Sequence, residues 1–202
     1  MAGVFMKKIN PVQLAHWIVY NFPNIYSDKS ELTHLKLQKL SYYCYGISIA
    51  QGFDESFKDF IFEAWKHGPV CRSIYNEFKS YGRSEIQKEN VSKPNFDIHQ
   101  KLHSELTKVL LLYGSLTPWK IRQQSHLEQP WIKAFNNGVT EIDTLEIKKC
   151  FFEKYFKSDS KIIGPEYVFD LSSFKIDGIP TVGYNSFDEL VETAKRLYFK
   201  NS

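Results

Sequence analysis

Three pairs of side chains stand near enough in the 202-residue sequence to do chemistry together. His99 and His103 are four apart in a stretch with helical spacing, which can bring both imidazoles to one zinc ion. Gln100, Lys101 and Leu102 separate them, so the general-base glutamate of H-E-x-x-H is missing, no third ligand is in view, and no metal is expected. Cys71 follows Pro69, read as the residue that opens a helix, and a thiol in a first helical turn has a lowered pKa. With His67 close by, that makes a nucleophile and a base. No Asn or Asp orienter is identifiable beside them, and a small buried cysteine is the commoner case. His126 and Glu128, in "SHLEQPW", have the types for an acid and base pair. The structural alternative, which we favour, has Ser125 and His126 satisfying backbone groups at a helix end while Trp131 fills the core. The phosphate-binding G-x-x-x-x-G-K-[ST], the dinucleotide G-x-G-x-x-G, the nucleophile elbow G-x-S-x-G and a paired-aspartate nuclease signature are all absent. Catalysis has no positive support, and neither an enzyme nor a cofactor is expected.

Composition narrows the remaining classes. A chain of 202 residues with 43% apolar side chains is long enough for one well-buried core. Its 26 basic and 23 acidic side chains are interspersed, with a net charge of +3 and a pI near 8.6, and no basic block or stripe offers itself to a phosphate backbone. Nucleic acid is not the expected partner. Cys44, Cys71 and Cys150 are odd in number and form no C-x-x-C pair, which argues against a disulfide framework and for a reducing cytoplasm. No apolar run approaches the ~18 residues of a membrane span, and no leader is read at the start. Aromatics reach 16%, more ring area than a small core requires, leaving some for a partner surface.

The elements that must position these residues read as mainly helical, with a little β structure. Asn10 then Pro11 starts a helix whose Val12, Ala15, Ile18, Val19 and Phe22 share a face, with Trp17 and Tyr20 on the other side. Thr33 caps a second helix, "LKLQKLSYYCYG" at its centre. Leu37, Leu40, Cys44 and Ile47 form one stripe; Leu35, Tyr42, Tyr45 and Ile49 form another nearly opposite, leaving Lys36, Lys39 and Tyr43 as a narrow polar edge. Such a helix is central, with neighbours on both sides. Gln38 projects into the second stripe, and an unpartnered buried amide costs about 1–3 kcal/mol, so it should bond to a loop backbone or a bound chain. A short strand is expected over Phe60–Trp65, then a turn at Gly68 and a helix from Pro69 to Tyr81. Further helices are expected over Phe96–Tyr113, from Thr117-Pro118, and over Leu145–Phe156 capped by Asp143 or Thr144, with a break at Gln129-Pro130. After Lys157 come short extended pieces around Tyr167–Phe169 and Ile176–Val182, then a terminal amphipathic helix through Phe187, Val191 and Tyr198.

Three segments in this order and spacing resemble the Panacea domain, the antitoxin family that includes SocA and the phage-associated GepA-like proteins. They are "LTHLKLQKLSYYCYG", "EAWKHGPVCRSIYNEFKSYG" and "SHLEQPWIKA". The pattern is carried by Lys36, Leu37, Gln38, Lys39, Leu40, Tyr42 and Tyr43; by Ala64, Trp65, Gly68, Pro69 and Val70; and by Ser125, His126, Glu128, Pro130 and Trp131. The resemblance implies a mostly helical cytoplasmic domain, here residues 1–157, that neutralises a cognate toxin by direct protein binding in a two-gene bacterial or phage unit. Members of the family pair with very different toxins, and one acts instead as an adaptor delivering its toxin to an ATP-dependent protease. The motif residues read as scaffold, which leaves partner choice to variable surface. Candidates for that surface are Trp17, Tyr20, Lys36 and Lys39, together with Phe187, Val191 and Tyr198 on an extension, 158–202, expected to dock on the domain or shape the partner surface.

Overall fold

The computed structural model describes residues 8–26, 31–96 and 98–157, and beyond them 162–163 and 168–169. The chain divides into two units, Met1–Glu153 and Lys154–Ser202. The first is mainly helical, with seven α-helices and a small three-stranded antiparallel sheet among its described residues.

Helix α1 (Pro11–Ile25) begins as its sequence dictates. Asn10 and Gln13 each accept the other's backbone N–H at 2.9 Å, so two of the donors orphaned at the helix start are satisfied reciprocally. Helix α2 (His34–Ala50) is capped by Thr33 and buries almost every side chain it has, surrounded by the other helices and the sheet. The central position expected from its two apolar stripes is what the structure shows. Its polar edge is not: Lys36, Lys39 and Tyr43 are fully buried. The aliphatic stems of the lysines pass through the core and their amines end on backbone carbonyls inside it, so charge in the sequence did not mark a solvent face here.

Strands β1 (Phe62–Trp65) and β2 (Gly68–Val70) form a hairpin in which Glu63 faces Val70 and Trp65 faces Gly68, leaving the two-residue loop Lys66-His67. Gly68 has φ +90, a conformation in which only glycine is at ease, and closes the loop. Pro69 therefore continues a strand and does not open a helix. On an edge strand its missing N–H costs little. Helix α3 (Arg72–Phe78) starts one turn later than expected, with Cys71 at its N-cap and outside its first turn.

Helix α4 (Gln100–Tyr113) likewise starts later than Phe96, because His99 is its cap and accepts the Lys101 N–H at 3.2 Å. Helix α5 (Pro118–Ser125) has the Thr117 cap and leading proline expected of it. The break expected at Gln129-Pro130 comes earlier, over His126–Glu128, and α6 (Gln129–Asn136) instead takes Pro130 into its first turn, where a proline needs no N–H. Strand β3 (Glu141–Ile142) completes the sheet on the far side of β1. Helix α7 (Thr144–Phe152) is capped by Asp143, which accepts from Leu145 N at 2.7 Å and Glu146 N at 3.2 Å; a π-helical turn, Glu153–Lys157, follows it. In the second unit Ile162–Ile163 (β4) pairs with Val168–Phe169 (β5). The expected strand at 176–182 and the terminal helix lie outside the described residues.

Among the described residues most of the aromatic side chains are buried in the core. Tyr43 stacks on Tyr113 with centroids 4.0 Å apart, Tyr45 on Phe60 at 4.5 Å, and Tyr42 meets Phe62 and Phe151 edge-on. Such pairs contribute about 0.5–1.5 kcal/mol each beyond the area they bury. Gly46 makes room for the Phe151 ring, which occupies the place of a Cβ.

Candidate functional site

The motif residues of α2 act as ties. Lys36 Nζ donates to the Gly114 carbonyl, the cap of α4, at 2.6 Å and lies 4.8 Å over the Phe22 ring. A cation at a helix C-terminus also meets the negative end of its dipole. Lys39 Nζ donates to the Pro69 carbonyl at 2.7 Å, tying α2 to β2. Gln38 does the same with an amide: its Oε1 accepts the Cys71 N–H at 2.9 Å and its Nε2 donates to the Cys71 carbonyl at 3.3 Å. The partner expected for Gln38 is thus a loop backbone of the same chain. Burial pushes the Lys36 amine down to about 8, with the Glu31 charge pulling it partly back, and it holds Lys39 well below its ordinary range, helped by nearby Arg122.

The Lys39 tie leads to one corner of the unit, where the end of α5 and the hairpin meet at Gly68. Trp131 Nε1 donates to the Trp65 carbonyl at 3.0 Å, and Ser125 Oγ donates to the Arg122 carbonyl at 2.8 Å, closing α5. Gly68 leaves no room for a side chain, since a Cβ there would come 2.5 Å from Ser125 Oγ and 3.1 Å from Lys39 Nζ. His126 lies flat on Trp131, with centroids 4.1 Å apart and planes 5° apart, and Phe135 stacks on the same indole at 4.8 Å. One turn back, the Arg122 guanidinium sits 4.6 Å over the Trp119 ring. Ser125 and Trp131 play the structural parts expected of them, capping and core filling. His126 does not satisfy the backbone through Nε2, which is buried without a partner, as is Arg122 Nε.

Desolvation pushes the His126 imidazole down to about 4, reinforced by the charges of Arg122, Lys39 and His67, while a contact with the His67 backbone works the other way. The ring is neutral at pH 7. Glu128 turns inward, accepting from the Tyr43 hydroxyl at 3.3 Å and the Cys150 thiol at 3.6 Å. Trp119, on the Arg122 guanidinium, and Phe135, on Trp131, stay 59% and 42% exposed, and Leu127, between α5 and α6, is 69% exposed. Composition gave no sign of this patch, yet Trp119, Arg122 and His126 fall at i, i+3 and i+7, a spacing that keeps them on one side of α5.

The other candidates are dispersed. Cys71 is buried with its Sγ 3.2 Å from Ser73 Oγ, and His67 is exposed on the hairpin loop. His99 caps α4, and His103 packs edge-on against Trp17 at 5.2 Å. Among the described residues no group of three or more His, Cys, Asp or Glu side chains could hold a metal ion. Of the partner candidates, Trp17, Lys36 and Lys39 are buried; Tyr20 is half-buried under the Lys88 ammonium, 4.2 Å from its ring centroid; Phe187, Val191 and Tyr198 lie outside the described residues. A pairing that the sequence did not reveal fixes the hairpin to α3. Glu63 accepts from Arg72 at 2.8 and 2.6 Å and from Trp65 Nε1 at 2.7 Å, as alternation on β1 places Glu63 and Trp65 on one face.

Residues 37–132, a little under half of the chain, match the family described as antitoxin SocA-like, Panacea domain. The family resemblance of the three sequence segments is thereby confirmed over that stretch. No curated protein and no solved structure matches the chain.

Proposed function

From the match of residues 37–132 to the antitoxin SocA-like Panacea domain, we propose that this protein is an antitoxin that neutralises a cognate toxin by binding it directly. The match is the observation that carries the reading. The geometry supports it in one respect: the motif residues Lys36, Gln38, Lys39, Trp65 and Trp131 hold segments of the chain together from inside, so a common scaffold is free to present different surfaces. No described helix is long and apolar enough to cross a membrane, which suits a partner met in solution. The same reading includes a two-gene bacterial or phage setting and a cytoplasmic location. Tyr20, Phe187, Val191 and Tyr198 stay candidates for the partner surface, the last three for their helical apolar spacing.

Co-expression with the product of the adjacent open reading frame tests the reading. Growth rescue together with a stoichiometric complex is the expected result. Rescue that vanishes in cells lacking an ATP-dependent protease would replace direct neutralisation by adaptor delivery. A harmless neighbour that does not bind would remove the antitoxin reading.

A further inference from the structure

We infer that the corner built by α5 and α6 is the docking surface for a partner segment that presents one carboxylate between apolar side chains. The exposed rings supply the apolar part. Trp119 and Phe135 are 59% and 42% exposed and Leu127, between them in sequence, is 69% exposed, whereas the rings of the core are buried. A Trp beside an Arg is the composition that carries binding energy at protein interfaces.

The charge beneath these rings sets the chemistry. Arg122 acts on both Lys39 and His126, Lys39 and His67 also act on His126, and none of the groups acting on Lys39 or His126 is acidic. Glu128, the nearest carboxylate in sequence, is 3% exposed and engaged with Tyr43 and Cys150. Arg122 Nε, a donor at any ordinary pH, is buried without a hydrogen-bond partner, and such an atom costs free energy until an acceptor arrives. A guanidinium fork takes a carboxylate in two parallel hydrogen bonds. A nucleic acid strand would need further cations in line, and the chain's 26 basic and 23 acidic residues are interspersed without such a stripe. One anion flanked by apolar contacts is the better fit.

The identity of the partner rests on the antitoxin reading; the chemistry of the surface does not, and the test separates them. The full chain, isotope-labelled, is titrated with the peptide acetyl-Leu-Asp-Leu-amide and with its Asn counterpart, reading the Arg122 Nε–H and Trp119 indole signals. The Asp peptide is expected to shift both saturably, the Asn peptide to bind at least about 10-fold more weakly, and Arg122→Gln to remove the difference. Equal shifts, or none up to about 10 mM, a range that includes the weakest specific contacts, would overturn the inference. With the co-expressed toxin, Arg122→Gln or Trp119→Ala should weaken the complex about 10- to 100-fold while circular dichroism stays unchanged. A toxin bound equally well by both variants would sink the docking surface and leave the antitoxin reading standing. A wild-type chain that binds no toxin yet discriminates the peptides would do the reverse. Tight binding of a short single-stranded RNA, lost in Trp119→Ala, would transfer the surface to nucleic acid and overturn the inference.

Discussion

Replacing Gln38 by leucine tests the reading of α2 as a set of ties. The change keeps the volume near constant and removes both hydrogen bonds to Cys71. The two losses are unequal. The Cys71 carbonyl still accepts the Tyr75 N–H at 2.9 Å, so it keeps a partner. The Cys71 N–H, which heads α3 and lies in a residue only 2% exposed, is left with none. An orphaned buried donor costs about 1–3 kcal/mol, so we expect a destabilisation of roughly 2 kcal/mol. For a chain of this size that lowers Tm by roughly 4–8 °C, and the urea midpoint falls by about 1 M. Gln38→Met, which is equally unable to accept the N–H, should lose the same amount. If either variant unfolds within about 0.5 kcal/mol of the parent, the size of a neutral surface change, the bond to Cys71 is not what Gln38 contributes and the reasoning fails.

Other consequences are as direct. Gly46→Ala should destabilise by about 1–3 kcal/mol despite the better helix propensity of alanine, because its Cβ would take the place of the Phe151 ring edge; Phe151→Leu in the same chain should recover part of the loss in urea melts. Lys36 has a folded pKa near 8 against an ordinary 10.5, so between those values the unfolded chain binds the extra proton and stability rises with pH. From pH 8 to 9.5 this contributes roughly 1–2 kcal/mol of rise that Lys36→Met should lack, and parallel pH profiles for the two proteins would contradict the buried amine. His126 should stay neutral down to about pH 4, read from its imidazole proton shifts. A midpoint at or above the ordinary 6.5 would mean the ring is not desolvated beside Arg122, Lys39 and His67.

Where a rule is local, the sequence was enough. Asn10, Thr33, Thr117 and Asp143 each cap the helix that follows, because a short polar side chain before a helical run reaches only its own first turn. The central place of α2 was legible too, since stripes on opposite faces need neighbours on both sides. Lys36 and Lys39 were misplaced because their burial depends on the Gly114 and Pro69 carbonyls, 78 and 30 residues away, which no window on the helix contains. Pro69 misled for a similar reason. It suits a helix start and an edge strand equally, and the choice was made by a hairpin whose partner strand lies before it. The α5–α6 corner was half visible: His126 and Trp131 stood out by motif, while Trp119 and Arg122 looked like ordinary members of one short helix and Phe135 lies in α6, which was not expected as a helix.

The measurement that bears most directly on the central claim is light scattering on the purified chain mixed with its purified toxin, alongside toxin activity in the same mixture. The account predicts a single complex of fixed stoichiometry that forms without any third component and in which the toxin is inactive. A toxin that keeps its full activity beside an equimolar excess of this chain, with the two eluting apart, would contradict it.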